Sequence, residues 1–331
     1  MQIRKLGASG PAVSALALGC MGMSGLYGPS NRTESIATIH AALDAGITLF
    51  DTGDFYGMGH NEMLLAEALN GVSRDRYQLS VKFGSQRDPS GNVIGIDCRP
   101  AAVRTALAYS LQRLGVDHID LYRPARLDPA VAIEETVGAI ADMVRAGFVR
   151  HIGLSEVGPE TIRRAAAVHP IADLQIEYSL FSRGIETNIL PTLRELGIGV
   201  TAYSVLSRGL LSGHWRRDQS RPNDWRNDNP RFQQGTVDSN LALVEALRLV
   251  AEKRGLTVAQ IAIAWVAVQG EDIVPTLGSR RRDQLAEAIG ALNISLSPED
   301  LSAIAVAIPR GAAVGDRYVQ ASMAHLDSER K

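Results

Sequence analysis

Residues 100–122 read PAAVRTALAYSLQRLGVDHIDLY, and this stretch decides the class of fold. Apolar residues recur at helical spacing over Pro100–Leu114. Gly115 follows, and glycine suits the left-handed backbone of a helix C-cap. Ile119–Tyr122 is then a short apolar run without strict alternation, as in a strand covered on both faces. The same unit repeats on both sides. Upstream, strands are expected at Leu16–Leu18, Thr48–Phe50 and Tyr77–Val81, with helices at Thr33–Ala45 and Asn61–Leu69. Downstream, strands are expected at His151–Leu154, Leu174–Ile176, Gly199–Ala202 and Asp272–Val274. Helices are expected at Ile133–Ala146, Pro159–Val168, Glu186–Leu196, Ser239–Lys253, Val258–Val268 and Arg281–Ile289, then at Pro298–Ile308 as a C-terminal helix. Gly46, Gly147 and Gly197 close helices as Gly115 does.

Eight strand–helix units in this order predict an α/β chain forming a single (β/α)8 TIM barrel over residues 1–331, with long loops on the C-terminal face. A doubly wound open sheet is the alternative, since the pattern alone does not reveal closure. The polar stretch Ser212–Gly235 carries Trp215, Trp225 and Phe232 among many charges and turn formers. It reads as a long, mobile surface loop that partly covers a ligand.

Composition narrows the function. Thirty-four Lys and Arg nearly balance 36 Asp and Glu, for a net charge of -2, which argues against a nucleic-acid surface. Cys20 and Cys98 stand far apart in no metal-ligand spacing, which suits free thiols in a reducing, cytoplasmic setting. The N-terminal MQIRKLGASG lacks the apolar stretch of a signal peptide. No run approaches the roughly 18 apolar residues of a membrane helix, so no membrane partner is expected. His40, His60, His118, His151, His169 and His214 are dispersed and predict no metal site. The pattern leaves a homo-oligomer open.

In a barrel of this kind the strand C-termini and the loops after them carry the active site. Asp51 closes the second strand in TLFDTGDFYG, Tyr56 follows five residues later, and Lys82 ends the third strand in YQLSVKFG. A carbonyl that accepts hydride develops negative charge on oxygen and needs a proton donor. Tyr56 can donate if an adjacent cation lowers its pKa, Lys82 can be that cation, and Asp51 can orient the lysine. Taken singly, Asp51 also reads as a turn cap and Tyr56 as a loop aromatic. A charged residue at the end of an apolar strand is less ordinary.

The segments KLGASGPAVSALALGCMGMS, DTGDFYG, LQIEYSL, GVTAYSVLSRGLLSG and VPTLGSRR, in this order, resemble the aldo-keto reductase superfamily over nearly the whole chain. They are similar to its bacterial branch related to potassium-channel β-subunits. The resemblance implies a catalytic group of Asp51, Tyr56 and Lys82 and a small carbonyl compound as substrate. It departs at DLYRPARLDP, where Ala125 occupies the position of the family histidine. Two outcomes follow. Either the site is widened for a bulky carbonyl, with Tyr56 as sole acid, or Arg123 or Arg126 reaches inward to stabilise the oxygen, each otherwise forming an ion pair such as with Asp128.

The resemblance also implies that Tyr203 stacks on a nicotinamide ring, with Ser155 and Gln175 on its carboxamide. Glu156 stands where the family often has asparagine. Ser204, Leu206 and Gly209 fall beside the pyrophosphate. Gly278, Ser279, Arg280 and Gln284 match positions around an adenosine 2′-phosphate, which favours NADP(H) over NAD(H), while Ala288 replaces a frequent asparagine. Free amides at the helix start and the Arg280 fork suit an anion on physical grounds. The expected activity is NADPH-dependent reduction of an aldehyde or ketone. The alternatives are a nicotinamide-binding redox sensor with little turnover, and a barrel lyase or isomerase acting on a phosphate ligand.

Overall fold

The computed structural model describes residues 1–216 and 224–330. Eight parallel strands close a barrel: β3 (Ala17–Gly19), β4 (Leu49–Gly53), β5 (Gln78–Phe83), β8 (Ile119–Pro124), β9 (Val149–Ser155), β10 (Ile171–Glu177), β11 (Gly199–Tyr203) and β12 (Ile273–Gly278), which returns to β3. The open-sheet alternative is thereby removed. Two antiparallel hairpins lie outside the barrel, β1 (Ile3–Lys5) with β2 (Ala12–Ser14), and β6 (Ser85–Arg87) with β7 (Val93–Ile96).

The outer ring holds α1 (Arg32–Asp44), α2 (His60–Ala68), α3 (Pro100–Leu114), α4 (Ile133–Arg145), α5 (Pro159–Val168) and α6 (Ile189–Glu195). It continues with α7 (Val237–Lys253), α8 (Val258–Ala267), α9 (Arg282–Ala291) and α10 (Pro298–Ala307), and α9 packs back on α1. A single turn, α11 (Gln320–Met323), comes near the end.

Alternation along the strands builds two environments. On β5, Leu79, Val81 and Phe83 join the apolar layer beneath the helices, whereas Ser80 and Lys82 bond to Asp51 inside the barrel. On β4, Phe50 belongs to that layer, while Leu49 packs in a separate inner cluster with Leu6, Val13, Ala17, Leu121, Ala172 and Val274. Leu6 and Val13 come from the β1–β2 hairpin, which therefore plugs the end opposite the strand C-termini. Gly7, with φ at +65°, makes the plug possible, because a Cβ there would stand 2.6 Å from Gly197 O and 2.7 Å from Ala172 O.

The register of β10 against β9 shifts between Ile171 and Asp173. Ala172 joins the inner plug and the next residue, Asp173, bonds inward to Thr201, which strict alternation would forbid.

The reading of Ser212–Gly235 as loose surface is corrected where it is described. Asp224, Asn229 and Arg231 are buried, and Asn229 Nδ2 donates to Arg317 O at 2.8 Å. These three polar side chains are bonded inward rather than solvated, while Asn227, Asp228, Gln233 and Gln234 stay exposed as expected. Residues 217–223 of that stretch lie outside the described residues.

Candidate active site

Asp51 sits inside the C-terminal end of the barrel. Its Oδ2 accepts from Lys82 Nζ at 2.5 Å, and its Oδ1 accepts from Ser80 Oγ at 2.7 Å and from Gln175 Nε2 at 2.8 Å. Burial would raise the Asp51 carboxyl, but Lys82 and Arg123 hold it below the usual carboxylate range. Burial brings the Lys82 ammonium below its ordinary value against the pull of Asp51, and Arg123 adds to the depression.

Tyr56 lies on the loop after β4. Asp54 N donates to Lys82 O at 2.9 Å and Asn61 N donates to Tyr56 O at 3.2 Å, so this loop is tied to both β5 and α2. Lys82 Nζ stands 5.0 Å from the centre of the Tyr56 ring, and Phe55 packs against that ring edge-on at 4.9 Å. Burial first, then the Asp51 charge, hold the phenol well above its ordinary value, with Arg126 opposing them. The lowering expected from Lys82 is therefore not found, because burial and Asp51 outweigh the neighbouring cations, and Tyr56 carries its proton at neutral pH.

Arg123 is fully buried. Its Nη2 lies 3.1 Å from Asp173 Oδ2, and its Nη1 donates to Thr201 Oγ1 at 3.0 Å. Gly153 leaves the space, since a Cβ there would be 2.5 Å from Asp173 Oδ1 and 2.9 Å from Arg123 Nε. Arg123 is thus an interior ion-pair partner on the strand beside Lys82, with which it is in register. Ala125 is buried, with its N donating to Phe83 O at 2.8 Å. Arg126 is half-buried, donates to Ala125 O at 2.6 Å, and lies 5.7 Å from the Tyr318 ring centre.

Ser155 and Tyr203 end β9 and β11, and Gln175 lies two residues before the end of β10 between them, in register with both Ser155 and Thr201. Tyr203 OH donates to Glu156 Oε1 at 2.7 Å and meets Tyr318 OH at 2.9 Å. Glu156 is fully buried in a left-handed conformation, φ 54°. Its Oε1 also accepts from Arg317 Nη1 at 3.0 Å and Glu177 N at 3.0 Å, and its Oε2 accepts from Arg317 Nη2 at 2.8 Å and Ser328 Oγ at 2.6 Å. Burial opposes its charge, yet Arg317 above all holds the carboxyl far below its ordinary range.

The turn after β11 is conformationally unusual. Ser204, Ser207 and Arg208 are left-handed at φ 53°, 45° and 57°, followed by Gly209 at 105°. Such strain on non-glycine residues concentrates at functional sites. Leu206 packs partly against the core. The Arg208 guanidinium donates to Glu177 Oε2 at 3.0 Å and lies 4.6 Å from the Tyr318 ring and 5.1 Å from that of Trp225. At the end of β12 Gly278 is exposed; beyond it Ser279 is buried, Arg280 Nη1 donates to Tyr27 O at 3.0 Å, and Arg280 N donates to Gln284 Oε1 at 3.2 Å.

The aromatic ring of Tyr203, the Ser155 and Gln175 polar groups, and the flanking Arg208 and Arg280 form a donor set suited to a nicotinamide dinucleotide. A ring, an amide and anionic phosphates would each meet matching chemistry along one path.

Sequence reasoning missed the segment from Val314 to Glu329. Arg317 bridges Glu156 and Glu177, Tyr318 reaches Tyr203, and Gly158 N donates to Asp327 Oδ2 at 2.9 Å. The available signal was Glu156 itself, a carboxylate at the end of an apolar strand that requires a buried counter-ion.

Comparisons with known proteins place the chain in a family. The model of the aldo/keto reductase family matches residues 15–308, and the chain belongs to that family. It is therefore an oxidoreductase acting on small carbonyl compounds, in a family that generally uses nicotinamide cofactors. The chain is 44% identical over 317 residues to "Probable aldo-keto reductase 1" of Glycine max, covering 95% of this chain and 91% of that protein. It also superposes on the glycerol dehydrogenase AKR11B4 from Gluconobacter oxydans with a TM-score of 0.84 and 32% identity, covering 95% and 97% of the two chains.

Proposed function

We propose that the chain reduces an aldehyde or ketone to an alcohol with NADPH, Tyr56 delivering the proton. The observation that carries this reading is the Lys82 ammonium, clamped by Asp51 at 2.5 Å and 5.0 Å from the Tyr56 ring centre. Bound NADPH supplies hydride from its nicotinamide C4. As negative charge grows on the carbonyl oxygen, Tyr56 releases its proton to it and Lys82 steadies the phenolate left behind. Asp51 keeps Lys82 in place and charged. Tyr203, Ser155 and Gln175 would hold the nicotinamide end, with Glu156 behind Tyr203. Ser204, Leu206 and Gly209 would flank the pyrophosphate, while Gly278, Ser279, Arg280 and Gln284 would receive the 2′-phosphate. Ala125 leaves the carbonyl oxygen without the usual imidazole, so Tyr56 is the sole acid.

The test is Tyr56→Phe assayed with NADPH and 4-nitrobenzaldehyde. Turnover is expected to fall by about 100-fold or more while fluorescence titration still reports dinucleotide binding. Undiminished turnover in this variant rejects the acid role.

A sensor with little turnover is the second reading, supported by the Tyr318 and Arg317 contacts that engage Tyr203 and Glu156. Tight dinucleotide binding without NADPH consumption over varied carbonyls would favour it.

A further inference from the structure

The charges at the barrel mouth do not cancel. Asp51 is matched by Lys82, and Asp173 by Arg123. Buried Glu156 and Glu177, together with Glu329, face Arg208, Arg231 and Arg317 in one connected network of three acids and three arginines. Arg126 stands outside every one of these pairs. Among the described residues it has no carboxylate within ion-pair distance, and its side chain donates only to Ala125 O at 2.6 Å. A guanidinium offers five N–H donors, and a partly buried one without a counter-ion is costly.

Its surroundings are those of the reaction site. Arg126 is the cation that opposes the other charges around the Tyr56 phenol, and its own field includes Tyr318, Tyr203 and Glu156. Tyr318 and Trp225 stack at 6.1 Å and 22°, and Tyr27 lies 6.0 Å beyond Trp225, so flat aromatic walls adjoin the cation.

We propose that Arg126 binds an anionic group of the substrate, and that the preferred substrates are aldehydes or ketones bearing a carboxylate. This rests on the reductase reading above. The carboxylate is unchanged in the reaction. The carbonyl carbon gains hydride, the π pair moves to oxygen, oxygen takes the Tyr56 proton, and the dinucleotide is oxidised. A phosphate oxygen of the dinucleotide is the other anion of this chemistry. Arg126 follows β8, whose end bonds to β5 at Phe83 next to Lys82, and this place on the Tyr56 side of the site favours the substrate.

The experiment compares 4-carboxybenzaldehyde with its neutral methyl ester in the native protein, Arg126→Gln and Arg126→Lys. The native protein is expected to prefer the carboxylate by about tenfold or more in kcat/KM, mostly through KM. Arg126→Gln should bring that ratio near one, and Arg126→Lys should restore part of it. Calorimetry with benzoate on the NADP-loaded protein should show binding that Arg126→Gln abolishes, with the affinity for NADP itself unaltered.

Equal turnover of acid and ester by the native protein, or a ratio unmoved in Arg126→Gln, overturns the inference and leaves the reductase intact. A loss of NADP affinity in Arg126→Gln assigns the arginine to a cofactor phosphate and also overturns it. If neither aldehyde is reduced, the reductase reading fails, and benzoate binding then decides the anion site alone. Arg126-dependent binding keeps it and none removes it.

Discussion

Arg123 on β8 and Asp173 on β10 face each other across the barrel interior at 3.1 Å, and neither side chain is exposed. Arg123 is in register with Lys82 on the neighbouring strand and acts on both Lys82 and Asp51, so two opposite-charge pairs share one low-dielectric space. Thr201 Oγ1 links them further by donating to Asp173 Oδ2 at 2.6 Å.

Arg123→Leu is expected to destabilise the protein by about 3–5 kcal/mol, because it strands the Asp173 carboxylate in the interior. Arg123→Leu combined with Asp173→Leu should recover most of that loss, since the pair's own desolvation cost disappears with it. Urea unfolding midpoints check both. A single variant as stable as the native protein would mean that Asp173 is not charged.

Glu156→Gln should lower the thermal midpoint at pH 7, since it weakens the bonds from Arg317, Ser328 and Tyr203. Burial opposes the charge of Glu156, but Arg317 dominates and depresses its pKa below the ordinary 4.5. Its stabilising contribution is therefore fully present above about pH 4.5 and fades as pH falls through the lower folded value. The gap between native and variant midpoints should accordingly narrow on going from pH 7 to pH 3. A constant gap across that range would contradict the assigned ionisation.

Arg280→Met is expected to weaken NADPH binding by about tenfold and NADH binding far less, as befits loss of a guanidinium from a 2′-phosphate. Fluorescence titration with each dinucleotide measures the difference. Equal losses for both would move the role of Arg280 away from the phosphate.

The barrel was legible because its strands and helices alternate in apolar period, and α3 and α5 begin and end where the pattern puts them. Several strands extend beyond the expected spans, and the reason is chemical. The run Tyr77–Val81 stops at Lys82, yet β5 continues to Phe83, because an inward charge interrupts the apolar pattern without ending the strand. Similarly, Ile119–Tyr122 halts before Arg123 although β8 reaches Pro124. The hairpins β1–β2 and β6–β7 escaped because their strands have three or four residues, too few to establish a period.

Asp51 and Lys82 stood out as charges at apolar strand ends. Their junction, and the approach of Tyr56, depend on barrel closure. Arg317 and Tyr318 gave no comparable signal, following Gly311 and Gly315 in a stretch with no apolar periodicity, and only their contacts with Glu156 and Tyr203 reveal them. The polar stretch around Arg231 misled for the opposite reason. Hydrophilic residues imply water only when no buried acid, here Glu177, is within reach.

The partner of Glu156 lies 161 residues further along the chain. A barrel built without that arginine would hold this acid on its amide and hydroxyl donors, short of the guanidinium that matches its charge best. The two bonds from Arg317 fasten the tail of the chain to the rim of the cylinder, so trimming the tail would unbalance a charge in the middle of the sequence.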